Sequence, residues 1–277
     1  MAHVYIGDEQ TFNESANEPA LVAPINLISH VAVRNAVARL QDDHGITDAD
    51  TAFRALLTVS KRYDVKLRHL SAAVAGADAG TRRVTSAPSL SFSLRGRGGS
   101  PERSDVLADL VTAAVELFSA PAAAVQLRDA VFGGVCIERH TGLAEQFRHH
   151  FSYVADEGSA AAYATAHCEV VRVDDVAASP LYNFTDMEVL ARSGVRAEVA
   201  IPMCDEDGRT WGGVTVMFDA RRPRIDPFAV EMLHGHADSC AQWLRWYDSE
   251  VMPTLVAAVH EVAAALVAET ASAAVSA

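Results

Sequence analysis

The stretch from residue 76 to residue 101 constrains the fold more than any other feature, because it separates two differently patterned parts of the chain. It contains five glycines and two prolines, Pro88 and Pro101, among many serines and arginines. Such a composition is typical of linkers. With 277 residues, the chain is long enough for two domains. We therefore predict domains over 23–76 and 102–247, joined by a linker over 77–101, with a loose tail at 1–22 and a separate segment at 248–277.

The pattern of the first predicted domain indicates three short helices. Apolar residues recur every three or four positions from Ile25 to Leu40, and Gly45 follows as a stop signal. A second helix is predicted to start at Thr47, where Asp50 completes a capping box, and a third has Asp64 as its predicted N-cap. Three short helices this close in sequence favour a compact bundle. Its predicted core residues include Ala52, Phe53, Leu56, Leu57, Leu67, Leu70 and Val74.

Basic residues concentrate at one end of this bundle, although the formal net charge of the chain is −13. So acidic a chain is not a general binder of polyanions, and any contact with nucleic acid has to come from a local patch. Residues 34–75 contain seven Lys and Arg against five Asp, and five of these bases lie at or after residue 54. The candidate RNA-binding residues are Arg54, Lys61, Arg62, Tyr63, Lys66, Arg68 and His69, and the linker region adds Arg82, Arg83, Arg95, Arg97 and Arg103.

Two interpretations of this patch are open from the residue pattern. The bases form either a solvated helix face or a surface for a phosphate backbone, where Lys and Arg release counterions. In the second case, the rings of Tyr63 and His69 could stack on exposed bases.

Residues 26–75 resemble the ANTAR domain, a three-helix RNA-binding module of bacterial transcription antiterminators. The resemblance rests on Ser29, Val33, Ala36, Leu40, His44-Gly45, Ala52-Phe53, Leu56, Ser60, Lys66-Leu67, Leu70 and Val74. The chain departs from the family pattern at Ala38, Gln41, Asp64 and Ser71. The resemblance implies that the domain binds stem-loops in leader transcripts and prevents a terminator from forming. A homodimer that presents two bundles would be the natural binder of paired loops.

The second predicted domain begins with an amphipathic helix, whose apolar residues run from Val106 to Phe118. Strand-like runs follow, and the turn at 205–209 joins the last two as a hairpin. A closing helix is predicted over 227–247. This order of elements indicates an α+β domain with a mainly antiparallel sheet. The predicted strands are 122–127, 135–139, 169–173, 197–203 and 212–218.

This second domain resembles GAF sensor domains over about residues 102–247. The resemblance rests on the entry helix, the segments 156–182 and 194–218, and the closing helix. It implies a site for a small ligand between the sheet and its covering loops. In regulators of this kind the sensor usually precedes the RNA module, whereas the order here is reversed. The predicted fold class is α+β: an N-terminal three-helix bundle, a C-terminal GAF-like domain with an antiparallel sheet flanked by helices, and a C-terminal helix.

The C-terminal segment carries a short apolar seam. Met252, Leu255, Val259, Val262 and Leu266 are spaced alternately three and four residues apart. This spacing is typical of a coiled coil. Self-association through the helix and packing onto its own domain are both open.

Little in the sequence indicates covalent or metal chemistry. The four cysteines are widely spaced without a CxxC pair, so we expect reduced thiols in a cytoplasmic protein. No signal peptide is expected, because the N-terminal residues are acidic, and no uninterrupted apolar stretch reaches membrane-spanning length. His234 and His236 lie two apart on a predicted helix, which disfavours a metal pair. We expect no metal and no cofactor, and no adjacent Cys-His pair is present for haem or bilin attachment.

The sequence therefore indicates a signal-responsive, RNA-binding antitermination regulator that is not an enzyme. One alternative is a regulator that dimerises or binds another protein but not RNA. The other is a methionine sulfoxide reductase of the GAF type, for which Cys136, Cys168 and Cys204 would have to converge.

Overall fold

The computed structural model describes residues 6–12, 19–22, 24–76, 86–94, 102–155, 157–221 and 225–275. The chain divides into two compact units. We call one the helical unit, which joins Leu27–Ala87 to Arg245–Ala277, and the other the sheet unit, which contains Met1–Asn26 and Pro88–Leu244. The helical unit is thus built from two segments that are far apart in sequence.

The elements agree closely with the patterns in the sequence. The helices are α1 (Pro24–His44), α2 (Ala49–Arg62), α3 (Leu67–Gly76), α4 (Arg103–Phe118), α5 (Glu145–His150), α6 (Ala160–His167), α7 (Phe184–Arg192), α8 (Pro227–Trp246) and α9 (Met252–Val275). The strands are β1 (Ile6–Phe12), β2 (Pro19–Val22), β3 (Ala122–Arg128), β4 (Val135–Thr141), β5 (Tyr153–Val154), β6 (Val171–Val173), β7 (Ala197–Cys204) and β8 (Thr210–Phe218). A 3₁₀ turn covers Val176–Ala178, and a π-helical turn, Tyr247–Val251, leads from α8 to α9. The α+β fold class and the five predicted strands are confirmed.

The N-terminal segment differs from the predicted loose tail. β1 and β2 pair antiparallel, with Ile6 opposite Val22 and Asp8 opposite Ala20. Backbone pairing of two strands does not require the alternation of apolar and polar residues on which a sequence prediction depends. Residues 1–5 and 13–18 of the predicted tail lie outside the described residues.

The core of the helical unit combines the three predicted helices with α9. Leu40, Leu56 and Leu70, one from each predicted helix, are fully buried. α9 packs against α2 and α3, and its Val259 and Ala263 are fully buried as well. Of the two uses predicted for the apolar seam, the structure shows packing within the chain. The physical reason is that three short helices leave one side of their core open, and α9 covers it.

The start of α2 differs from the prediction by one position. Its N-cap is Asp48 rather than Thr47, because the Asp48 carboxylate accepts hydrogen bonds from the backbone N–H groups of Asp50 and Thr51 at 3.1 and 3.0 Å. The predicted stop at Gly45 is confirmed, since this residue follows α1 with φ +65°, a conformation that glycine adopts without strain.

The sheet of the sheet unit has six strands in the order β5-β4-β3-β8-β7-β6, and all neighbours are antiparallel. Phe118 of α4 packs against Phe218 of β8 with ring centroids 6.2 Å apart, whereas the adjacent Met217 joins the core beneath α5, α6 and α7. Because successive side chains of a strand point to opposite faces, helices cover the sheet on both sides. This arrangement explains why the strands are almost continuously apolar.

The middle of the predicted linker is packed against α8. Ser91 Oγ lies 2.8 Å from His236 Nδ1 and donates to the Gly235 carbonyl oxygen at 3.2 Å. Phe92 is buried, and its ring centroid lies 5.6 Å from that of His236. Residues 88–94 therefore belong to the sheet unit and are not a free spacer. Residues 77–85 and 95–101, with the predicted basic residues Arg82, Arg83, Arg95 and Arg97, lie outside the described part of the chain.

One helical run, Pro227–Ser272, is long and apolar enough to cross a membrane by length and composition. Its most apolar window has a mean hydropathy of 1.8 and is 28% buried. The run does not contradict the expectation from the sequence, which concerned an uninterrupted apolar stretch, because His260 and Glu261 interrupt its apolar sequence. Its apolar residues are also used in packing, since Leu233 and Leu244 are fully buried in the sheet unit and Val259 in the helical unit.

Candidate functional site

A cavity lies in the sheet unit between the sheet and the helices α5, α6 and α7. Its lining side chains pack so closely that the cavity has room for about one water molecule. Its aromatic lining residues are Phe147, Phe151 and Tyr182, and its polar ones are Gln126, Ser159, Glu198 and Thr215. Each polar residue comes from the sheet or from a helix end, so the fold determines its position.

Glu198 is the acidic group of this cavity. It lies in the apolar strand β7 and is only 3% exposed. The Tyr182 hydroxyl donates a hydrogen bond to its Oε2 at 2.5 Å and accepts one from the Ala160 backbone N–H at 3.3 Å. Burial raises the pKa of Glu198 to about 7, although the hydrogen bond from Tyr182 acts in the opposite direction. Burial, together with the neighbouring Glu198, also raises the pKa of Tyr182 well above its ordinary value.

Two further polar residues of the cavity are fixed by the sheet. Thr215 of β8 and Gln126 of β3 lie on neighbouring strands, and the Thr215 hydroxyl donates to Gln126 Oε1 at 3.1 Å. Ser159 is the N-cap of α6, where its hydroxyl accepts a hydrogen bond from the Ala162 N–H at 3.2 Å. The cavity therefore presents polar groups whose orientations are determined before any ligand arrives.

A second buried pair lies behind the cavity wall. His150, the last residue of α5, places its Nε2 atom 2.7 Å from Asp186 Oδ1 of α7. Asp186 also forms the capping box of α7 with Asn183. The pair ties together the two helices that contribute Phe147 and Leu190 to the cavity lining.

Sequence reasoning missed these residues. Glu198 is the one charged residue in the strand 197–204, and a lone Glu in an otherwise apolar strand is a signal that could have identified it. Tyr182 and Gln126 carry no comparable signal. Their role depends on contacts between residues that are 16 and 89 positions apart.

The cysteines correct another expectation. Cys168 and Cys204 form a disulfide, so the prediction of four reduced thiols is wrong for this pair. Cys168 ends α6 in the left-handed region at φ +53°, and Cys204 ends β7, so the two meet only in the folded sheet unit. Cys136 and Cys240 are buried outside the disulfide, and burial raises the pKa of the Cys240 thiol to about 12. No thiol is among the residues that line the cavity.

Two hydrogen bonds between Ser60 and Val65 hold the corner between α2 and α3. Ser60 Oγ donates to the Val65 carbonyl oxygen at 2.7 Å, and the Val65 N–H donates to the Ser60 carbonyl oxygen at 3.1 Å. α3 begins at Leu67, so the prediction of Asp64 as its N-cap is wrong. Asp64 instead lies in the turn with φ +46°, a conformation that Asp and Asn tolerate better than other non-glycine residues.

The predicted RNA-binding residues surround this corner but differ in exposure. Arg54, Lys61 and Arg62 of α2 are exposed, and Tyr63 is 39% exposed beside the Arg62 guanidinium, whose carbon lies 5.6 Å from its ring centroid. We call these four residues the basic corner. The other predicted residues, Lys66, Arg68 and His69, are half-buried, and the Nε and Nη2 atoms of Arg68 are shielded from solvent.

Metal ligands do not cluster in the described residues. No group of three or more His, Cys, Asp or Glu side chains there could hold a metal ion. His236 is buried against the 88–94 segment, while His234 is half-buried, with its Nε2 atom 3.9 Å from Asp238 Oδ1.

Several solved structures are similar to this chain, whereas no curated protein matches it. The GAF domain of the Acinetobacter phosphoenolpyruvate-protein phosphotransferase is 10% identical with a TM-score of 0.45, over 53% of this chain and 84% of that one. The blue-light-absorbing form of the Thermosynechococcus elongatus PixJ GAF domain is 14% identical with a TM-score of 0.43, over 57% and 93%. The free methionine-R-sulfoxide reductase of Neisseria meningitidis, in complex with its substrate, is 19% identical with a TM-score of 0.41, over 52% and 80%.

The family model of the GAF domain matches residues 102–244, which is more than half of the chain. This range agrees with the resemblance predicted over 102–247 and contains α4, the six-stranded sheet and most of α8. The resemblance of residues 26–75 to ANTAR domains is outside the match and stays a prediction. On the strength of the match over 102–244, the chain belongs to the GAF domain family.

Proposed function

We propose that this chain is a signal-responsive regulator in which the GAF domain senses a small molecule and the helical unit binds stem-loop RNA. The observation that carries the RNA-binding part is the basic corner, where Arg54, Lys61 and Arg62 are exposed on a chain of formal net charge −13. Solvated cations in such a patch can neutralise phosphates and release their counterions. The resemblance to ANTAR domains supports leader transcripts as the target and transcription antitermination as the outcome.

The geometry of the basic corner suits a phosphate backbone. Arg54 and Lys61 are seven residues apart on α2, so they lie on nearly the same side of the helix and about 10 Å apart along its axis. Arg62 and Tyr63 end the same helix, where a partly exposed ring beside a guanidinium group can stack on an unpaired base. The hydrogen bonds between Ser60 and Val65 keep this arrangement rigid before RNA binds.

The proposed signal route follows the chain. The polypeptide leaves the GAF domain through α8 and the π-helical turn Tyr247–Val251, and it continues into α9, which packs on α2 and α3. A ligand that favours one conformation of the GAF domain can thereby shift the population of RNA-competent bundles. We further propose a cytoplasmic homodimer, because two bundles bind paired stem-loops with added avidity.

The experiment that tests the proposal measures the affinity of the full chain for an RNA carrying two stem-loops. The variant changes Arg54, Lys61 and Arg62 to Glu together. Because each charge contributes to phosphate binding, we expect the affinity to fall by at least about 100-fold. The residues are exposed, so the melting temperature is expected to stay within a few degrees of the wild type.

The matched control reverses three exposed arginines of the GAF domain, Arg148, Arg172 and Arg192, which changes the net charge by the same amount. We expect this variant to retain RNA affinity within about threefold, since long-range charge is screened by salt. If both variants lose affinity equally, or neither does, the basic corner is not an RNA site. The second outcome would favour the alternative of a protein-interaction module.

A further inference from the structure

The cavity of the GAF domain contains one acidic group and no basic group. Lys, Arg and His are absent from its lining, and within the described residues the Glu198 carboxyl receives its hydrogen bond from Tyr182 alone. A buried carboxylate is expensive unless a cation or several donors stabilise it. The Glu198 carboxyl therefore keeps its proton to a higher pH than usual, and a cation that entered the cavity would stabilise its ionised form.

Three of the residues that line the same cavity are aromatic. Phe147 and Phe151 lie with ring centroids 4.7 Å apart and line the cavity together with Tyr182. The faces of aromatic rings attract cations, most strongly where water is excluded. A cavity lined by one acidic group and three aromatic rings favours ammonium groups with an apolar substituent over anions.

We propose that the cavity binds a small aliphatic amine in its protonated form, with Glu198 as the counter-ion and Phe147, Phe151 and Tyr182 around the cation and its apolar tail. This proposal rests on the proposed sensory function of the GAF domain. Tyr182 holds Oε2, which leaves Oε1 to accept a hydrogen bond from the ammonium group. The Gln126 and Thr215 side chains lie at the sheet wall and offer further oxygen acceptors.

The size of the cavity limits the ligand. Because the space holds about one water molecule, an amine of one to four carbon atoms enters only if the side chains that cover the cavity move apart to admit it. Ala160, Ala161 and Ala162 of α6 are small and fully buried above the sheet, so larger ligands would require α6 itself to move. The proposal therefore concerns amines of the size of methylammonium to n-butylammonium.

Binding is expected to depend on pH, because only ionised Glu198 attracts the cation. The titratable groups that face Glu198 are Tyr182, and behind it Asp186 of α7 with its partner His150 of α5. Burial raises the pKa of Glu198 to about 7, so the affinity should fall as the pH drops below 7. Binding at pH 6.5 should also release a proton to the buffer.

The experiment uses isothermal titration calorimetry on the full chain with three probes of similar shape: n-propylammonium, n-propanol and propionate. We expect n-propylammonium to bind and the neutral and anionic probes to bind at least about tenfold more weakly. Glu198→Gln should weaken n-propylammonium binding about 10- to 100-fold, because a charge-assisted contact is lost. Glu188→Gln is the matched control, since Glu188 is exposed on α7 beside Arg192. This variant should bind the probe as tightly as the wild type does.

Each outcome decides the proposal. Propanol or propionate binding as tightly as n-propylammonium, or unchanged binding to the Glu198→Gln variant, would overturn the assignment of an amine and leave the sensory function in place. If none of the probes binds, the amine proposal is overturned, while the sensory function of the GAF domain, which does not depend on an amine, is left in place. Proton release that disappears in the Glu198→Gln variant would support the role of this carboxyl.

Discussion

The cavity of the GAF domain and the basic corner of the helical unit hold their charges in opposite ways. Glu198 is 3% exposed and hydrogen-bonded to Tyr182, whereas Arg54, Lys61 and Arg62 extend into solvent. Desolvation makes the buried carboxylate costly, so this one group strongly limits what the cavity can accept. The exposed cations of the corner keep their hydration, so they cost little free energy of folding, and each one contributes little to binding. The corner therefore acts through the number and spacing of its cations.

This difference has a practical consequence. A change of one charge in the cavity should alter stability and ligand choice together, because the carboxyl has few alternatives for stabilisation. A change of one charge at the corner should weaken RNA binding by a modest factor and leave stability alone. The following measurements would break or sharpen this contrast, and they are ordered by the size of the expected effect.

The largest expected effect is on the free energy of unfolding of the sheet unit, and it also tests whether the two units unfold independently. Replacing Cys168 and Cys204 with serine should lower the free energy of unfolding of the sheet unit by about 2–4 kcal/mol, because the disulfide restricts the unfolded chain. In calorimetry, the transition of the sheet unit should move down while that of the helical unit stays in place. Reduced wild type should match the double variant. A double variant that still responds to reductant would contradict the pairing of these cysteines.

The next effect tests the buried carboxyl. Burial raises the pKa of Glu198 from its ordinary value of 4.5 to about 7, so the stability that this group contributes is full below pH 4.5 and is lost as the pH rises through 7. Glu198→Gln should therefore be more stable than the wild type by up to about 3 kcal/mol at pH 8 and similar to it at pH 4. Urea unfolding at both pH values measures this, with Glu188→Gln as the control. Equal stability of Glu198→Gln and wild type at pH 8 would show that the carboxyl is solvated.

The salt dependence of binding should differ between the two regions, because the cations of the basic corner are exposed and the carboxyl of the cavity is buried. If the three cations of the basic corner contact phosphates, raising the salt from 50 to 200 mM should weaken RNA binding about 20- to 40-fold. Binding of n-propylammonium in the cavity should change by less than about threefold, because buried charges are screened much less. Fluorescence anisotropy for the RNA and calorimetry for the amine give the two slopes. Equal slopes would break the contrast between the regions.

The smallest expected effect is on the stability of the helical unit, and it comes from substitutions of two buried serines. Ser71 is fully buried, and its hydroxyl has no hydrogen-bond partner among the described residues, so Ser71→Ala should stabilise the unit by about 1 kcal/mol. Ser60→Ala removes the hydrogen bond to the Val65 carbonyl and should destabilise it by about 1 kcal/mol. Thermal unfolding measures both, and the opposite signs are the test. A loss of stability in both variants would show that the Ser71 hydroxyl is satisfied.

Local patterns in the sequence predicted most of the elements. The spacing of Ala36 and Leu40 predicted the buried face of α1, and the apolar runs with the acidic turn at 205–209 predicted the β7–β8 hairpin. The exposed Arg54, Lys61 and Arg62 were also found from charge alone. The short helices α5, α6 and α7 were not predicted, because each spans fewer than three turns.

By itself, the sequence determined which faces are apolar, where most of the helices and strands lie and where the bases concentrate, since these properties depend on residues that are close along the chain. Tertiary structure alone decided that α9 completes the helical core, that Cys168 meets Cys204, and that Glu198 is buried against Tyr182. The reason is physical: burial, covalent pairing and a raised pKa depend on distances between residues that are remote in sequence, and only the folded chain brings these residues together.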